Sequence, residues 1–116
     1  PMNHREACLR ALKEHIDPKG GVTGQFRLDD DDGVSYRFVE RFREAFEDGQ
    51  PIMRRDHKFA VDFNQGYTVC IEEDGIRACA QNRQYWTPAL GVYLRPHVDK
   101  TVIHFRHDII WKTMNA

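Results

Sequence analysis

The stretch Lys58-Phe-Ala-Val-Asp-Phe-Asn-Gln-Gly-Tyr-Thr-Val-Cys-Ile-Glu-Glu-Asp-Gly-Ile-Arg-Ala-Cys-Ala80 decides how this chain is expected to fold, because it holds three alternating apolar and polar runs separated by two turn signals. Asp74-Gly75 suits a two-residue hairpin loop, whose central positions need positive φ. That loop sets Glu73 opposite Ile76, Glu72 opposite Arg77, Ile71 opposite Ala78 and Cys70 opposite Cys79. For the first turn, a two-residue loop at Gln65-Gly66 leaves Asp62 facing the apolar Val69. A three-residue loop, Asn64-Gln65-Gly66 with Gly66 left-handed, aligns Phe59, Val61, Phe63, Tyr67, Val69 and Ile71 instead, and a one-residue slip would turn all of them over. The expectation is a three-stranded meander. Its apolar face adds Ile76, Ala78 and Ala80, and its polar face carries Lys58, Asp62, Thr68, Cys70, Glu72, Arg77, Cys79 and Gln81.

Working upstream, residues 36–48 read as a helix capped by Ser35 and stopped by Gly49, with Phe38, Val39, Phe42, Ala45 and Phe46 on one face. This aromatic stripe should lie against the Phe59 face of the sheet. Residues 4–16 form a first helix: Asn3 and Glu6 make a capping box, and Cys8, Leu9, Leu12 and Ile16 form its apolar stripe. Asp17-Pro18-Lys19-Gly20-Gly21 ends it. Residues 51–56 connect the second helix to the sheet. Downstream, Leu90–Leu94 reads as a fourth strand and residues 101–107 as a fifth. The tail from Asp108 to Lys112 either extends that strand or folds back as a short turn. The fold expected is α+β: two N-terminal amphipathic helices packed on one face of an antiparallel sheet of about five strands, as a single domain over residues 1–116.

At 116 residues the chain can bury a core without metal or disulfides to hold it. Seventeen basic against eighteen acidic side chains leave a formal charge of -1, so no global field favours nucleic acid or an anionic membrane. No apolar run approaches the roughly 20 residues of a membrane span. Three scattered cysteines, an odd number, argue for a reducing compartment and, with no signal peptide pattern, a cytoplasmic location.

Residues 19–34 have little periodicity and form a long loop with at most one short strand around residues 22–28. The loop ends in Asp29-Asp30-Asp31-Asp32-Gly33. Aligned on Gly33, the EF-hand template falls on Leu28 at its first ligand position and Val39 at its last, so it fails at both ends. The run therefore reads as a solvated acidic lead-in that complements the positive end of the next helix, and no metal or other cofactor is expected. Arg54, Arg55, His57 and Lys58 form the densest positive cluster and are the best candidates for anion contact. Tyr85 and Trp86 are adjacent aromatics in polar surroundings; on a strand one of them faces outward, as interface residues do.

No G-x-S-x-G, glycine-rich phosphate loop or H-E-x-x-H is present. His104 and His107 fall on opposite faces of the expected strand and cannot share a metal. Cys70 and Cys79 read as two reduced thiols. Pro1 offers a free prolyl amine, a base or nucleophile in the tautomerase superfamily, but there the proline leads into a strand and here a helix cap follows. The reading that results is a small soluble module without catalytic activity that binds another protein or itself: an inhibitor, immunity or accessory factor of the kind phages and mobile elements encode. Its contacts would be Arg54, Arg55, Lys58, Tyr85 and Trp86, with neither nucleic acid nor membrane as partner. The alternative is a small lyase, isomerase or hydrolase using His104, Arg106, Asp62 or the Pro1 amine.

Overall fold

A computed structural model describes residues 1–107 and 110–114. Its elements are α1 (His4–His15), β1 (Thr23–Phe26), α2 (Phe38–Asp48), α3 (Gln50–Asp56), β2 (Lys58–Asp62), β3 (Gln65–Glu72), β4 (Gly75–Asn82), β5 (Leu90–Leu94) and α4 (Ile110–Met114). Short 3-10 turns lie at Thr87–Ala89 and Val102–His104. The α+β class stands, but its arrangement is corrected. The strands divide into a three-stranded antiparallel sheet of order β1-β5-β2 and a separate two-stranded ribbon of β3 and β4. There is no single five-stranded sheet carrying two N-terminal helices on one face.

The physical reason lies in β5. Leu-Gly-Val-Tyr-Leu is buried at all five positions, which marks a strand with neighbours on both edges and cover on both faces. β1 takes one edge, from Thr23 opposite Leu94 to Phe26 opposite Gly91. β2 takes the other, from Lys58 opposite Leu94 to Asp62 opposite Leu90. The run 58–62 thus pairs with a strand far along the chain and not with its sequence neighbour.

Successive residues of β5 face opposite layers, so the sheet has two cores. Tyr93 packs with Phe38, Phe42, Met53 and Phe59 on the side of α2 and α3. Phe42 stacks on Tyr93 with ring centroids 4.5 Å apart, and the Tyr93 hydroxyl donates to the Phe42 carbonyl at 2.6 Å. The aromatic stripe of α2 therefore does cover the Phe59 face. Leu90, Val92 and Leu94 pack on the other side with Val102, Phe105 and Ile110, and Leu12 of α1 joins them. α1 has the expected Asn3 and Glu6 capping box, but it buries no residue fully and lies on the face away from α2.

Four local expectations also change. α2 begins at Phe38, because Ser35 forms a turn instead of capping: its hydroxyl accepts from the Arg37 amide and its carbonyl from the Phe38 amide. Gly49 closes α2 in right-handed geometry and leads straight into α3, which occupies the expected connection at residues 51–56 with Pro51 in its first turn. Residues 101–107 are not a strand. The Thr101 amide donates to Nδ1 of His104 at 2.9 Å and the Val102 amide to Oε1 of Gln25 at 2.9 Å, so these donors are satisfied without a ladder. Ile110 to Lys112 lie in α4 in place of an extended tail, while Asp108 and Ile109 are outside the described residues.

The ribbon has a different register from the one expected. Glu72 pairs with Gly75, Ile71 with Ile76, Cys70 with Arg77 and Thr68 with Cys79, so the loop is Glu73-Asp74 and Gly75, at φ 146, is already in the strand. The shift amounts to two positions, which keeps every side chain on its expected face. Residues 67–82 are nearly all exposed on both faces, so no buried set pins the register. The projecting ribbon also raises the radius of gyration to 15.8 Å, against roughly 13 Å for a compact domain of about this size.

Candidate acidic centre and groove

β1 ends at Phe26, and Arg27 and Leu28 carry the chain to Asp29-Asp30-Asp31-Asp32. A turn closes this run, the Asp32 amide donating to the Asp29 carbonyl at 3.1 Å. Oxygens of Asp29, Asp31 and Asp32 all lie within 4.8 Å of one another. Partial burial raises the Asp32 pKa above the ordinary carboxylate value, and the charges of Asp31, Asp29 and Asp30 push it further. Among the described residues, none of the four carboxylates takes part in an ion pair. Converging, uncompensated oxygens are what a hard divalent cation takes as ligands, so these residues fit such an ion. α2 begins at Phe38, so the run lies several residues ahead of its first turn, over which a helix dipole acts.

Asp31 and Asp32 border an open groove of about 1400 Å³. Val34, Arg37, Phe38 and Arg41 around the start of α2, Tyr67 and Val69 of the ribbon, and Arg83, Tyr85 and Trp86 also line it. Arg37 is paired with Glu40 at 3.0 Å and Arg41 with Glu44 at 3.4 Å. The Arg83 guanidinium makes no ion pair among the described residues, leaving its fork of donors available to a ligand. Trp86 lies along the start of β3, its ring 3.4 Å from where a Gly66 side chain would begin.

Tyr85 is held in place from behind. Its backbone, at φ 60, donates to Oδ2 of Asp62 at 3.0 Å, and its carbonyl meets Nδ1 of His107 at 3.1 Å. Asp62 Oδ1 is buried with no partner, and burial raises the carboxyl pKa despite the Tyr85 amide, which lowers it.

The sequence-derived candidates divide accordingly. Tyr85 and Trp86 share the groove wall, both half-buried, while Arg54, Arg55 and Lys58 lie elsewhere, at the end of α3 and the start of β2. Arg55 is paired with Asp56 at 2.9 Å. Of the catalytic candidates, Asp62 sits behind Tyr85, His104 binds the Thr101 amide, Arg106 is exposed, and Pro1 is exposed ahead of α1. Asp62 and His104 thus bond to different partners, the Tyr85 and Thr101 amides. The residues passed over were Asp29, Asp31, Asp32 and Arg83. Their signal was four consecutive carboxylates directly after a short strand, read against a calcium-loop template that does not describe them.

The fold is α+β, and its acidic cluster borders a groove lined by cationic and aromatic side chains. A family model described as "Putative rhamnosyl transferase" matches residues 1–116, and the chain belongs to that family. No curated protein and no solved structure matches it. Membership corrects the expectation of a non-catalytic protein-binding module and points to a glycosyltransferase-like function in place of a lyase, isomerase or hydrolase. Among the described residues no helix is long and apolar enough to cross a membrane.

Proposed function

We propose that this chain carries the donor site of a glycosyltransferase that moves a rhamnosyl unit from a nucleoside diphosphate carrier to an acceptor hydroxyl. The observation that carries this reading is the convergence of Asp29, Asp31 and Asp32 within 4.8 Å at the edge of the groove. In the transfer, the acceptor oxygen bonds to the anomeric carbon as that carbon's bond to phosphate oxygen breaks. The electron pair leaves with the diphosphate, and the acceptor's proton passes to solvent or a base. Asp29, Asp31 and Asp32 would hold a divalent cation, and that ion would supply charge neutralisation for the leaving diphosphate. Arg83 offers paired N–H donors to phosphate oxygens, and Trp86 and Tyr85 offer flat faces to a base or sugar ring.

The test is calorimetric titration of uridine and thymidine diphosphates with and without Mn²⁺. Binding should require the cation and should weaken at least about tenfold in Asp31→Asn and Asp32→Asn, with unchanged far-ultraviolet circular dichroism. Cation-independent binding, or full binding by both variants, would overturn the reading.

A further inference from the structure

The proposed transfer needs a group to receive the proton of the acceptor hydroxyl, and among the described residues lining the groove there is one imidazole, that of His107. The arginines there only donate, and Asp31 and Asp32 belong to the acidic centre. His107 is exposed, and its Nδ1 lies 3.1 Å from the Tyr85 carbonyl. A carbonyl oxygen can only accept, so Nδ1 carries the hydrogen of that bond. In the neutral ring Nε2 then has no hydrogen and offers its lone pair. The carbonyl is itself anchored, since Tyr85 is fixed at φ 60 with its amide bonded to Oδ2 of Asp62 at 3.0 Å. One bond thus sets both which nitrogen is basic and how the ring is turned, the part a third group plays behind a histidine base.

We infer that His107 is the general base of the transfer: its Nε2 takes the proton of the acceptor hydroxyl as that oxygen bonds to the anomeric carbon. This rests on the donor-site reading above. The electron pair of the broken bond leaves with the diphosphate, the ring becomes an imidazolium, and its proton returns to solvent once the product has left. The bond to the Tyr85 carbonyl persists throughout, because Nδ1 donates in both protonation states. His107 reaches the groove from the segment after β5, and Asp31 and Asp32 from the segment after β1. Base and carboxylates therefore come to one groove from separate parts of the chain.

Two substitutions separate the chemistry from support of the wall. His107→Asn keeps an N–H where Nδ1 stands, so the Tyr85 carbonyl retains a donor, but it has no atom in place of Nε2. His107→Ala leaves room for added imidazole. The probe is release of diphosphate from the rhamnose esters of uridine and thymidine diphosphate with Mn²⁺, water standing in for the acceptor. The kcat should fall at least about a hundredfold in both variants, and imidazole should restore turnover to His107→Ala. Mn²⁺-dependent binding of the diphosphates should be unchanged in His107→Asn. Proton–nitrogen correlation spectra of the imidazoles, with His107 assigned by its loss in the asparagine variant, should place the hydrogen on Nδ1. Undiminished turnover in His107→Asn, a hydrogen on Nε2, or no rescue by imidazole would each overturn the inference. So would loss of diphosphate binding in His107→Asn, which would make the residue a support of the groove, or no turnover by an unsubstituted chain that binds the diphosphates. Absence of cation-dependent diphosphate binding by the unsubstituted chain would instead be a failure of the donor site.

Discussion

Asp62 holds Tyr85 through a single bond, its Oδ2 accepting the backbone amide at 3.0 Å, while its other oxygen is buried without a partner. The bond fixes a tyrosine at φ 60, a conformation unfavourable for a bulky residue. It thereby ties the end of the central sheet to the groove wall. Asp62→Ala removes the acceptor and should cost about 1–2 kcal/mol. Because Trp86 follows Tyr85, the variant should also shift tryptophan emission and weaken nucleotide binding. Unchanged emission would show that the wall holds its shape without Asp62.

The same carboxyl predicts a pH dependence. Its folded-state pKa is raised, chiefly by burial, so the folded chain holds this proton more tightly than the unfolded chain does. The associated stability is present below the unfolded value and is lost as pH rises through the folded one. Urea unfolding followed from the ordinary aspartate pKa upward should show stability falling with pH from this group, and Asp62→Asn should reduce that slope. Asp32 shifts in the same direction, so the slope should shrink without vanishing. An identical slope in the variant would place the titration elsewhere.

At the acidic centre, mutual repulsion and cation binding make opposite predictions for one substitution. Without metal, Asp32→Asn removes a charge crowded by Asp31, Asp29 and Asp30, and the melting temperature should rise slightly. With Mn²⁺ at about a hundred times its dissociation constant, the unsubstituted chain should gain about 2.7 kcal/mol. The variant should gain much less. The gain should also shrink at acidic pH, where protons compete for the same oxygens. Equal stabilisation of both proteins by Mn²⁺ would place the ion elsewhere.

How much of this was legible in the sequence depended on whether burial enforced the pattern. α1, β5 and the aromatic face of α2 were readable because Asn3 with Glu6, the run 90–94 and the Phe38, Phe42, Phe46 spacing each have one physical solution. The sheet was misassembled because Val61 and Val69 carry the same alternation, although only Val61 packs against the core and Val69 is exposed. Alternation shows that a strand has two different faces, not which strand lies beside it. Thr101 misled in the opposite way: its segment alternates like a strand, but Gln25 and His104 satisfy its neighbouring amides. The convergence of Asp29, Asp31 and Asp32 was not legible because a carboxylate run has the same letters whether it is extended or folded into a turn. The bond from the Asp32 amide to the Asp29 carbonyl closes that turn.

The ribbon's register makes a prediction about its thiols. Cys70 pairs with Arg77 and Cys79 with Thr68, so the cysteines are diagonal neighbours on one face, with a separation of roughly 7–8 Å where a disulfide needs Cα atoms about 4.4–6.8 Å apart. Both are free and exposed, and Cys8 is half-buried. Titration with a chromogenic disulfide reagent should therefore find two fast thiols and one slower one, and reductant should leave the melting temperature unchanged. The directly opposed register would place Cys70 and Cys79 face to face, and mild oxidation would then join them within one chain.

Gly49 offers the sharpest test of the core. It is buried where α2 hands over to α3, and a side chain there would collide with the ring of Phe59. That ring cannot retreat, because it stacks on Tyr93 at 5.0 Å, and Tyr93 is held by Phe42 through both its ring and its hydroxyl. Gly49→Ala should therefore cost about 1–3 kcal/mol through overpacking and lower the melting temperature by at least about 4 °C, although alanine is the better helix former. Gly21→Ala, where nothing lies within 4 Å, is the control; it should be neutral or stabilising by up to about 1 kcal/mol. Phe59→Leu should relieve the clash, so the double variant Gly49→Ala with Phe59→Leu should be more stable than the sum of its single changes predicts. Strict additivity would mean that the two residues do not meet, and the packing of α3 against β2 would then have to be different.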